Sequence, residues 1–122
     1  MATTILIIDH EVTAQGTLAL LQQQGFIVNM ATNAESGLRL AYRYQPDLVF
    51  LDVSIASQNA WELLKFLREI SPSMPILLQT DSNNVQIARK GVQLTANGYL
   101  ERPFNEQDLA SFVDAHRIKD EE

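Results

Sequence analysis

A chain of 122 residues, 46% of them hydrophobic, suits one compact domain with its own core. The formal charge of −6, from 15 acidic against 9 basic residues with no Lys/Arg cluster, argues against direct binding to a nucleic-acid backbone. With no cysteine, disulfides, thiolate metal sites and a cysteine nucleophile are excluded; no apolar run approaches the roughly 20 residues of a membrane span, so a soluble, cytoplasmic protein with no membrane partner is expected.

In chain order, Ile5-Leu6-Ile7-Ile8 is a continuous β-branched run, the pattern of a strand buried on both faces, and Asp9-His10-Glu11 follow it. Ala14, Leu18 and Leu21 recur with helical period, and Gly25 marks the end of that helix. A weaker strand, Phe26-Ile27-Val28-Asn29-Met30, leads to Thr32 and Glu35 at capping-box spacing, then to a helix through Ala34, Leu38 and Ala41 that Pro46 stops. Asp47-Leu48-Val49-Phe50-Leu51 is a second buried run, ending at Asp52.

Val53 to Ala60 reads as a loop, and Ala60, Leu63, Leu64 and Leu67 stripe a third helix, with Trp61 at its start as core or a local lid. Ile76-Leu77-Leu78 leads to Thr80 and Asp81, and Val85, Ala88 and Val92 mark a fourth helix. Tyr99-Leu100 precedes Arg102, and Asn105 with Asp108 opens a fifth helix carrying Leu109, Phe112 and Val113, with His116 in its last turn. Strict β–α alternation requires a parallel sheet with helices on both faces. The predicted fold is a flavodoxin-like, doubly wound α/β domain over residues 1–118, with strand order 2-1-3-4-5 and five helices; residues 119–122 form an acidic C-terminal tail.

Open sheets of this kind bind ligands outside the carboxyl ends of their strands, near the topological switch point. The residues there are Asp9, Asp52, Thr80 with Asp81, and Arg102. Two carboxylates at one buried rim repel each other and call for a cation, which Arg102 and a hard divalent ion would supply. An Asp carboxylate can attack phosphorus, a Thr hydroxyl can donate to phosphoryl oxygens, and Arg can pair with them, so the chemistry points to an aspartyl phosphate.

Four stretches, Ile5-Leu6-Ile7-Ile8-Asp9, Pro46-Asp47-Leu48-Val49-Phe50-Leu51-Asp52, Pro75-Ile76-Leu77-Leu78-Gln79-Thr80 and Gly98-Tyr99-Leu100-Glu101-Arg102-Pro103-Phe104, resemble in order the signatures of the receiver domains of two-component response regulators. The resemblance covers essentially the whole chain. It implies a phosphorylation-controlled switch rather than a metabolic enzyme, with at most self-catalysed phosphorylation and dephosphorylation. By it, Asp52 is the phosphoacceptor, Asp9, Asp52 and the Ser54 backbone carbonyl hold Mg²⁺ or Mn²⁺, Thr80 is the switch hydroxyl, Arg102 pairs with the phosphoryl group, and Tyr99 is the aromatic switch. It also implies a cis Arg102-Pro103 bond. The implied partners are a histidine kinase or phosphotransfer protein and a downstream protein target on the face of the fourth helix, fifth strand and fifth helix; a homodimer is allowed, and the simplest expectation is a receiver that stands alone.

The chain departs from the receiver pattern at four places. His10 stands where a second acidic residue usually ligates the metal, which weakens Mg²⁺ or favours a softer ion unless Glu11 substitutes. Arg102 replaces the usual lysine, and a planar guanidinium is not equivalent to a compact ammonium. Asp81 replaces a small residue and would either repel phosphate or ligate a metal, and the loop after Asp52 lacks its usual Pro and Gly. These departures motivate an alternative, a degenerate receiver serving as a phosphorylation-independent interaction or dimerisation module. A flavin or nucleotide carrier on the same sheet is disfavoured, because Asp9-His10-Glu11 would repel a phosphate.

Overall fold

The computed structural model describes residues 3–56 and 60–116, with the side chains of Glu11, Thr13, Ala56 and Ala60 outside that description. The expected end of the domain at residue 118 and the acidic tail also lie outside it. The strands are β1 (Thr4–Ile8), β2 (Ile27–Ala31), β3 (Leu48–Asp52), β4 (Ile76–Thr80) and β5 (Gly98–Glu101). The helices are α1 (Glu11–Gln23), α2 (Ala34–Tyr44), α3 (Val53–Ala56), α4 (Ala60–Ile70), α5 (Val85–Leu94) and α6 (Glu106–His116), with a 3₁₀ turn at Ser82–Asn84. All strand pairs are parallel, in the order β2-β1-β3-β4-β5.

The sheet order is the one expected, whereas the described residues hold six α-helices rather than five. The extra one is α3, a single turn in the segment read as a loop. It forms where Ser54 turns its amide and hydroxyl back onto Asp52, and Val53 is buried against the core.

The continuous apolar runs are continuous because alternate residues feed two separate cores. Leu6, Ile8, Val49, Leu51, Ile76 and Leu78 pack with Ala41 of α2, Leu63, Leu64 and Leu67 of α4 and Ala88 of α5. Ile5, Ile7, Leu48, Phe50 and Leu77 pack on the other face with Ala14 and Leu21 of α1 and Leu109 and Val113 of α6. Central strands buried on both faces leave no polar face, which is why β3 and β4 carry no period-two pattern. Edge strands β2 and β5 are only partly covered, and their weaker sequence signals follow from that.

Gly37 lets α2 approach β1 closely, since a Cβ there would stand 2.7 Å from Ile8 Cδ1; at Gly91 of α5 it would stand 2.5 Å from Leu78 Cδ1 and 3.1 Å from the Trp61 ring. Trp61 is half-buried and packs against the core on that face. Helix α1 ends at Gly25, whose φ of 92° is left-handed backbone that glycine adopts without strain. Helix α2 ends before Pro46 as expected, but its start is shifted. The cap is Asn33, whose Oδ1 accepts from the Ser36 amide at 2.8 Å, while Glu35 pairs with Arg39 at 3.4 Å, so the expected Thr32–Glu35 box is corrected. The Asn105–Asp108 box is present in both directions, at 2.8 and 3.4 Å. His116 donates from Nδ1–H to the Phe112 carbonyl at 3.1 Å and stacks on the Phe112 ring.

Candidate functional site

Parallel pairing brings the carboxyl ends of β1, β3, β4 and β5 to one rim. Ile8 lies opposite Leu51, so the next residues, Asp9 and Asp52, are neighbours at the point where the strand order reverses. They are 0% and 3% exposed. In the next pairing Asp52 lies opposite Gln79, and Thr80 lies opposite Glu101, which precedes Arg102. The Arg102-Pro103 bond is cis, and the Arg102 amide donates to the Thr80 carbonyl at 2.7 Å.

Arg102 organises the site. Its Nη2 is 3.0 Å from Asp9 Oδ2, 2.8 Å from Asp52 Oδ2 and 3.1 Å from Gln79 Oε1. The other Asp52 oxygen, Oδ1, accepts from the Ser54 amide at 2.7 Å and the Ser54 hydroxyl at 2.8 Å. Both Asp52 oxygens are thus held. Burial pushes the Asp52 carboxyl up, but hydrogen bonding with Asp9 and with Ser54, together with the Arg102 charge, outweighs it and leaves the carboxyl below its ordinary value. Asp52 is therefore an ionised, oriented oxygen nucleophile at neutral pH.

His10 stands at the N-cap of α1, exposed, with its ring nitrogen Nε2 3.1 Å from Ser54 Oγ. The Ser54 hydroxyl hydrogen is directed to Asp52, so that contact has Nε2–H donating to Ser54. Its amide donates to Asp9 Oδ1 at 2.7 Å. Asp81, which would repel a phosphate if it pointed inward and could equally ligate a metal, is exposed and caps the 3₁₀ turn: its Oδ1 accepts from the Asn83 amide at 2.9 Å and from the Asn84 amide at 3.1 Å. That accounts for an acidic residue beside the site, because capping two free N–H groups holds the carboxylate away from it. The Thr80 hydroxyl is fully buried and donates to the Asp81 carbonyl at 2.9 Å. Tyr99 is half-buried, its phenol accepting from Arg89 Nε at 3.3 Å.

The sequence reading passed over Gln79 and the amide and hydroxyl of Ser54. Gln79 carries a visible signal: it is an amide that follows the apolar run Ile76-Leu77-Leu78 within a fully buried strand, and such a residue requires a partner. Asp9 and Asp52 do turn toward one point, but Arg102 Nη2 occupies it, and His10 offers no third carboxylate. Among the described residues no three His, Cys, Asp or Glu side chains are grouped to hold a metal ion; the two carboxylates that would hold Mg²⁺ are paired with Arg102 instead, and the side chain of Glu11, the expected substitute ligand, lies outside the described residues. No helix among them is long and apolar enough to cross a membrane.

The family model of the response regulator receiver domain matches residues 5–114. Over 109 residues the chain is 32% identical to the transcriptional regulatory protein CusR of Escherichia coli K12, covering 89% of this chain and 48% of that protein. It is 34% identical to the probable transcriptional regulatory protein SilR of Salmonella typhimurium over 110 residues, 89% of this chain and 48% of that one. The chain therefore spans about half the length of these relatives. Among solved structures it resembles a putative response regulator from Chloroflexus aurantiacus, with a TM-score of 0.83, 29% identity, and 94% and 97% of the two chains covered. It is similarly close to the receiver domain of NtrX from Brucella abortus, with a TM-score of 0.83, 25% identity, and 92% and 96% covered.

Proposed function

This chain belongs to the response regulator receiver domain family of two-component signalling, and from that membership we propose that Asp52 is the phosphoryl acceptor through which it acts. The observation that carries the reading is an ionised carboxylate buried at the end of the central strand, with one oxygen held by Ser54 and the other by Arg102. In transfer from a histidine kinase or phosphotransfer protein, a bond forms between an Asp52 oxygen and phosphorus. The P–N bond of the donor phosphohistidine breaks, and its electron pair leaves with the imidazole. Arg102 is at hand to pair with the phosphoryl oxygens.

The added charge and acceptor oxygens then compete for the Thr80 hydroxyl, which in the unmodified domain is spent on the Asp81 carbonyl. Moving it resets the loop before α5 and the Arg89–Tyr99 contact, so the face of α5, β5 and α6 changes its affinity for a downstream protein. The acidic balance of the chain suits a protein target in the cytoplasm better than direct contact with DNA.

Intact-protein mass after incubation with acetyl phosphate and Mg²⁺ or Mn²⁺ tests this. Wild type gains one phosphoryl group and Asp52→Asn gains none. No phosphoryl adduct on wild type with either metal would instead favour the phosphorylation-independent module.

A further inference from the structure

Three acceptors, Asp9 Oδ2, Asp52 Oδ2 and Gln79 Oε1, lie 2.8 to 3.1 Å from one nitrogen of Arg102 that carries only two hydrogens. All three oxygens converge on that one cationic nitrogen. Gln79 is 1% exposed in an apolar strand, with its oxygen on Arg102 and its Nε2 without a hydrogen-bond partner among the described residues. A buried amide that leaves one donor unpaired costs free energy, so its presence needs a compensating role. Holding the guanidinium on the two carboxylates is that role.

We propose that Arg102, positioned by Gln79, is a tethered cation that replaces the divalent ion at the Asp9–Asp52 pair, so that Mg²⁺ binds only by displacing the guanidinium. A tethered group competes at an effective concentration of millimolar or more. Mg²⁺ dehydrates reluctantly and demands near-octahedral oxygen donors, whereas a guanidinium is weakly hydrated and enters a partly buried site at lower cost. His10, in place of a further carboxylate, removes the ligand that would tip the balance toward the metal. This geometry stands whether or not Asp52 accepts a phosphoryl group.

The full chain is titrated with Mg²⁺ and with Mn²⁺ by calorimetry and melted in EDTA and in each metal, as wild type, Arg102→Met, Arg102→Lys and Gln79→Leu. Wild type is expected to melt at the same temperature in EDTA and in millimolar metal. Arg102→Met melts lower in EDTA, because two buried carboxylates lose their cation, and recovers with metal, its divalent affinity rising about tenfold or more as the tethered competitor is removed. Arg102→Lys and Gln79→Leu, which keep the charge but loosen its placement, gain affinity by a smaller factor and remain informative should Arg102→Met not fold. Saturable millimolar or tighter Mg²⁺ binding by wild type, with no gain in any of the three variants, would overturn the proposal.

Discussion

Asp52 sits in a dry place for a charge, and what keeps it ionised is a specific set of donors. Burial raises its carboxyl, while Asp9, the Ser54 amide and hydroxyl and the Arg102 charge together bring it below the ordinary 3.8. A folded-state value below the unfolded one contributes stability that is fully present above the unfolded value and is lost as pH falls through the folded value. Wild type should therefore lose more stability than Asp52→Asn in denaturant titrations as pH falls below about 5 and through the lowered folded-state value, the two curves drawing together at the acid end. At this scale the sequence reading located Asp9, Asp52, Thr80 and Arg102 because apolar strands that end in a polar residue mark the rim of a parallel sheet. It did not reach the partners, since whether Asp81 turns inward depends on the free amides of Asn83 and Asn84, and whether Ser54 donates depends on the turn that follows β3.

The elements are held by groups that periodicity does not reveal. Asn33 rather than Thr32 caps α2, and Asn33→Ala should cost about 1 kcal/mol in chemical denaturation, while Thr32→Ala stays within about 0.5 kcal/mol of wild type. Arg68 of α4 donates from Nε to Thr95 Oγ1 at 2.8 Å, and from Nη2 to the Thr95 carbonyl and Asn97 Oδ1, both at 2.9 Å. It also reaches the carbonyls of Ser71 and Met74. Asn97 Oδ1 in turn accepts from the Ile76 amide at 2.9 Å, so one guanidinium ties α4, the start of β4 and the turn before β5 at the end of the sheet opposite the site. Arg68→Met strands these acceptors and should lower stability by about 2–3 kcal/mol, read as a fall in melting temperature. Helix stripes and buried runs were legible without these contacts; the contacts were not, because Arg68 and its acceptors at Thr95 and Asn97 are 27 and 29 residues apart in the chain.

Across the whole molecule, the rigid part and the responsive part are separable. β1, β3 and β4 are buried on both faces between two apolar clusters, whereas the segment after Thr80 carries the two side-chain contacts that can rearrange, the Thr80 hydroxyl on the Asp81 carbonyl and Arg89 on the Tyr99 phenol. Hydrogen exchange before and after phosphoryl loading should change chiefly within residues 80–99 and leave the amides of β1 and β3 as they were. The five-unit alternation followed from pattern; handedness narrowed the topologies to a few, of which the favoured strand order is the one present, and the short helix α3 was missed because a single turn has no period to detect. The most direct test of the account is to trap the phosphorylated chain with borohydride, which reduces an aspartyl phosphate to homoserine, and to locate the product by tandem mass spectrometry. The account predicts homoserine at position 52 and nowhere else; a phosphoryl group retained on His10 or His116, with Asp52 unreduced, would contradict it.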